Sequence, residues 1–136
     1  MYHFLFSSKI IKIGYHDIQH NIQNTNYLII NTLPSNEQSC LIKNTLSCTE
    51  EPQVINEYIN RYNFKKPIII YGKNCSDTSA DDKAQQLSKL GFTNIYLYCG
   101  GLFEWLLLQD IYGIELFPTT RESDDLLKYK SPRLIS

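Results

Sequence analysis

The run Pro67-Ile68-Ile69-Ile70-Tyr71-Gly72-Lys73-Asn74-Cys75-Ser76-Asp77-Thr78-Ser79 passes from an apolar stretch straight into a polar loop. The residues beyond it set the topology. Residues 80–90 place Ala80, Ala84, Leu87 and Leu90 on one helical stripe, and Gly91 stands where a left-handed C-cap is wanted. Ser79 or Thr78 is expected to cap this helix, with Asp81 and Asp82 at the positive end of its dipole. A second β-type run, 94–99, then meets Gly100-Gly101 and Leu102-Phe103-Glu104-Trp105. Two apolar runs joined through a helix predict a βαβ unit and a parallel sheet. The loop 72–79 therefore lies at the carboxyl end of the strands, where open α/β sheets take their ligands.

Outward from this unit the patterns continue. Upstream, Glu51-Pro52 opens a helix well, and Val54, Ile55, Tyr58, Ile59 and Tyr62 recur at helical spacing. The continuous apolar run 27–31 predicts a buried parallel strand. Residues 9–13 form a short strand closed by Gly14, and 15–21 a short helix with Ile18 and Ile22 one turn apart. Downstream, 102–109 is apolar on every side, which predicts a helix buried between the sheet and the tail. In the tail, 117–120 reads as a turn into a short helix capped by Thr120 or Ser123, with Leu126, Leu127 and Tyr129 apolar.

Composition bounds the function. At 136 residues, 43% hydrophobic and 20% charged, the chain is one ordinary folded domain. A net charge of −1 implies no basic surface for nucleic acid. No stretch reaches the roughly 20 apolar residues of a membrane span. The apolar residues 1–6 lack the basic start and the length of a signal peptide. Cys40, Cys48, Cys75 and Cys99 include no C-x-x-C pair, and His16 and His20, one turn apart, have no third ligand near them, so no metal site is expected. Free thiols point to a reducing, cytoplasmic setting.

In order and spacing, Ile68–Tyr71, Leu90-Gly91-Phe92, Asn94-Ile95-Tyr96 and Gly100-Gly101-Leu102-Phe103-Glu104-Trp105 resemble the rhodanese-like domain. The resemblance implies a three-layer α/β fold with a mostly parallel five-stranded sheet and helices on both faces. Residues 1–109 would be the domain and 110–136 a C-terminal extension packed on it. The family ends the strand at 27–31 with Asp and follows it with Arg, where this chain has Asn31-Thr32-Leu33-Pro34. Its His-Ile-x-Gly-Ala segment corresponds here to residues 40–46, which lack the His and the Gly. Heavy use of Ile, Asn, Lys and Tyr is similar to that of rhodanese-like proteins of large DNA viruses or protists, which would add the virion as a location.

A rhodanese-type sulfurtransferase attacks a sulfane sulfur with a thiolate and passes the sulfur on from a persulfide. The family's Cys directly follows the strand, where this chain has Gly72. Cys75 stands three residues further on, in a loop about two residues longer than the common form. Asp77, Asp81 and Asp82 surround it, against Lys73 and Lys83, and nearby carboxylates disfavour a thiolate. The expected function is therefore a weakly active or inactive sulfurtransferase-like domain that acts as a binding or regulatory module. In the alternative, a thiosulfate sulfurtransferase-like enzyme, Cys75 carries the persulfide and Lys73 holds the anion. Gly72, Asn74 and the N–H groups of Ser76, Asp77, Thr78 and Ser79 then form the cradle. Neither reading calls for a cofactor; the partner is a small sulfur-containing anion or another protein. A dual-specificity-type phosphatase, which shares the fold, would need a phosphate-clamping Arg, and 72–79 has none. Cys99 and Trp105 are expected to be core residues. Cys40 and Cys48 fall in the segment that matches the family poorly.

Overall fold

A computed structural model of the chain describes residues 9–136; the apolar stretch 1–6 lies outside the described residues. Four parallel strands form one sheet in the order β1-β4-β3-β2: β1 (Ile11–Ile13), β2 (Leu28–Asn31), β3 (Ile68–Tyr71) and β4 (Ile95–Tyr98). The register sets Ile68 against Leu28 and Ile95, and Tyr71 against Asn31 and Tyr98. Because side chains alternate across a strand, β3 serves two cores. Ile69 and Tyr71 enter one with Ile18, Leu102, Trp105 and Phe117. Ile68 and Ile70 enter the other with Ile55, Ala84, Leu87 and Phe92.

Helices cover both faces, as expected. α1 (Tyr15–Asn21) and α4 (Gly101–Tyr112) lie on the first, α2 (Glu51–Asn60) and α3 (Ser79–Leu90) on the second. Each fully buried Ile or Leu contributes about 1.5–3 kcal/mol relative to exposure, so the pattern rather than any one residue fixes the fold.

Several expectations need correction. Among the described residues the sheet has four strands, not five. Residues 40–46 touch it through a single bridge, Ile29 to Thr45, and a second bridge joins Ile42 to Thr119 of the tail. Asn44 turns into the left-handed region (φ 69°) and the Thr45 hydroxyl bonds back to the Ile42 carbonyl, so the segment coils here. Leu90 and Tyr62 fall off their stripes and are exposed, Tyr62 because the chain has left α2 at Asn60. α4 is buried on one side only: Leu102, Trp105 and Leu106 face inward, while Leu107, Ile111 and Tyr112 face out. In the tail, the 3₁₀ turn Leu126–Tyr129 is capped by Asp125, whose carboxylate accepts from the Leu127 N–H, and not by Thr120 or Ser123. Among the described residues no helix is long and apolar enough to cross a membrane.

Candidate functional site

The loop 72–79 emerges from the carboxyl end of β3, and the double glycine explains how it is held. α4 begins beside it: the Leu102 and Phe103 N–H groups donate to the Gly72 and Lys73 carbonyls, both at 2.9 Å. Gly101 has φ +71°, and a Cβ there would lie 2.8 Å from the Asn74 nitrogen and 3.0 Å from the Gly72 oxygen. Backbone cannot yield to such a contact, so only glycine fits. Glu104, the acid of the motif, accepts a 2.7 Å bond from the Tyr98 hydroxyl.

Within the loop, side chains take up the N–H groups of Lys73, Ser76 and Ser79. The Asp77 carboxylate accepts from the Lys73 N–H through Oδ2 and from the Ser79 N–H through Oδ1, each at 3.0 Å. Asn74 Oδ1 accepts from the Ser76 N–H at 3.0 Å, and the Asp77 N–H donates to the Asn74 carbonyl. Burial opposes the charge on Asp77, but the N–H groups of Lys73 and Ser79 outweigh it and hold the carboxyl below its ordinary pKa. Thr78, expected as a cap alongside Ser79, makes no side-chain cap bond. Asp77, one residue earlier, supplies the oxygen.

Gly72 faces this carboxylate. A Cβ at that position would stand 2.9 Å from Asp77 Oδ2 and 3.3 Å from Thr32 Oγ1, which is itself 2.7 Å from Ser79 Oγ. Lys73 turns its ammonium away to Glu37, 2.9 Å from Oε1. Lys83 pairs with Glu51 on the neighbouring helix. Cys75 is exposed, its sulfur 3.9 Å from Ser131 Oγ. Cys99 is exposed as well, contrary to the expectation of a buried packing residue, and shares a pocket of about 190 Å³ with Cys75, Lys12 and Tyr98. Cys40 is buried, which raises its pKa, and Trp105 is fully buried with its indole N–H on the Pro118 carbonyl.

Sequence reasoning missed two contributors. The first is the tail. The buried Asn74 amide donates to the Tyr129 carbonyl at 3.0 Å and the Lys130 carbonyl at 3.2 Å, while Ser76 Oγ donates to Ser131 Oγ at 3.1 Å. An open groove of about 510 Å³ remains, walled by Thr32, Lys73, Asp77, Ser79, Lys130 and Ser131. The second is an amide pair at the exit of β2, where the family has charges. Asn31 and Gln38 exchange bonds at 2.8 and 3.0 Å, and Asn31 Oδ1 also takes the Leu33 N–H. No group of His, Cys, Asp and Glu among the described residues is arranged to hold a metal.

A parallel sheet with helices on both faces and an amide-lined loop at its carboxyl edge defines an α/β domain of the rhodanese type. The rhodanese-like domain family matches over residues 15–108, and the chain belongs to it. Solved structures agree on the fold. Saccharomyces cerevisiae Ygr203w, described as a homolog of single-domain rhodanese and Cdc25 phosphatase catalytic domain, superposes with TM-score 0.61 at 15% identity, covering 86% of this chain and 91% of that one. The Alr3790 protein from Anabaena gives 0.59 at 17%, covering 85% and 96%. The polysulfide-sulfur transferase homodimer from Wolinella succinogenes gives 0.57 at 18%, covering 85% and 81%. No curated protein matches the chain.

Proposed function

We propose that this chain is a rhodanese-like module whose loop does not run a persulfide cycle and which works by binding. The observation that carries this reading is the Asp77 carboxylate on the Lys73 and Ser79 amides beside Gly72. A loop that lowers a thiol pKa does so by aiming unpaired N–H groups at the sulfur. Here the Lys73 and Ser79 donors serve an internal anion, and the contact of the exposed Cys75 thiol is with Ser131 of the tail. The groove beside the loop suits a small sulfur-containing anion or a protein segment contacting the loop and tail.

The exposed thiol of Cys75 favours the rival reading, sulfur transfer through Cys75. Thiosulfate and polysulfide, the latter named for the Wolinella neighbour, are the donors to offer it. With cyanide as acceptor, we expect no thiocyanate beyond that made by Cys75→Ser, and no gain of a sulfur atom in the intact mass. Turnover that disappears in Cys75→Ser would refute the proposal.

A further inference from the structure

The outer face of α4 and its neighbours leaves six large apolar side chains exposed: Tyr15, Leu107, Ile111, Tyr112, Ile114 and Leu116. Ile111 is 69% and Tyr112 61% accessible. They are contiguous. Leu107 and Ile111 lie one turn apart on α4, and the Tyr15 and Tyr112 rings pack on Phe117 at 5.6 and 6.2 Å. The Gln19 amide fixes the turn by donating to the Leu116 carbonyl at 2.8 Å. Six such side chains gathered in one place differ from the scattered single apolar residues usual on a monomer's surface.

The charges around the patch select the occupant. Neither 13–42 nor 91–120, the spans that contain α1, α4 and the turn, holds a single Lys or Arg; all 13 stand elsewhere. Asp17, Asp110 and Glu115 are exposed among the apolar residues. A two-fold contact with a second copy would bring these acids together, and the nearest bases in sequence or packing, Lys12, Arg121 and Lys128, lie outside the segments that carry the patch. The backbone of α4 is satisfied within its helix, so an extended strand finds no ladder partners, whereas an amphipathic helix brings its own.

We propose that this face docks a basic amphipathic helix of another protein, its Leu, Ile or aromatic stripe on Ile111 and Leu116 and its Lys or Arg flanks on Asp110 and Glu115. This does not depend on whether the loop turns over. The test titrates the full chain with a labelled Leu/Lys amphipathic peptide of about 18 residues, five turns. Controls are the same peptide with Glu for Lys and one of the same composition in scrambled order. We expect the Leu/Lys helix to bind and the controls to fail. Ile111→Ser with Leu116→Ser should weaken binding about tenfold or more, with the circular dichroism spectrum unchanged. Asp110→Lys with Glu115→Lys should shift preference to the Leu/Glu peptide. Equal binding of the scrambled peptide, indifference to both double variants, or no binding at all would overturn the proposal. So would light scattering that shows a dimer dissociated by Ile111→Ser, which would make a second copy the occupant.

Discussion

Replacing Asp77 by Asn keeps the shape of the side chain and removes the feature on which the reading of the loop rests. In the native loop, Oδ2 takes the Lys73 N–H and Oδ1 the Ser79 N–H, each at 3.0 Å. Asn retains one acceptor and turns an NH₂ toward the other donor. Hydrogen bonds to a charged partner contribute about 1.5–3 kcal/mol each, and partial exposure reduces that through screening. We therefore expect Asp77→Asn to cost about 1–2 kcal/mol near neutral pH, roughly 3–8 °C in Tm for a domain of this size. The pH dependence gives a second readout. Asp77 has its folded pKa below the ordinary value, so its stabilisation is fully present above the unfolded pKa and is lost as pH falls through the folded one. The gap between wild type and variant should thus be full at about pH 7 and shrink below about pH 4, where both forms become neutral. Urea unfolding at several pH values measures it. Equal stabilities at neutral pH, or a gap that acid leaves unchanged, would show that the carboxylate is not the internal ligand of these amides.

Gly101→Ala should destabilise by about 2–4 kcal/mol, since it adds a backbone clash to strain at φ +71°. Gly113→Ala, at φ +101° with open space around it, should cost only about 1–2 kcal/mol, and thermal melts of the two separate clash from strain. Asn74→Ala strips the tail of its bonds at Tyr129 and Lys130, so tryptic cleavage at Lys128 and Lys130 should accelerate, with about 1–3 kcal/mol lost. Tyr71→Phe should cost about 1–3 kcal/mol by leaving the buried Ile42 N–H without its 3.1 Å acceptor. Burial raises the Tyr71 pKa, so above about pH 10 the unfolded chain releases this proton first and stability falls; the variant should show a shallower alkaline slope.

How much of this was legible in the sequence depends on the range of the interactions. The β3–loop–α3–β4 unit was readable because short apolar runs, a 3.6-residue stripe and Gly91 each act within a few residues, and all favour one arrangement. The double glycine was readable as a landmark, but its cause was not. Gly101 is needed because α4 starts against the backbone of Asn74, 27 positions earlier, and no local pattern encodes that approach. The course of segment 40–46 was hidden for a related reason. Its composition permits extension, yet the buried Tyr71 hydroxyl takes the Ile42 N–H and bonds Thr45 Oγ1, drawing the chain into a coil. The loop divides along the same line. Its residues and their proximity to Cys75 could be read off, because eight consecutive positions cannot lie far apart. Which N–H groups Asp77 would take could not, since an acid beside a thiol and an acid seated on the amides share one sequence. Nor could the tail's reach to Asn74, 55 residues away. The chemistry of such a site is set by who holds the loop's backbone donors, and spacing alone leaves that allocation open.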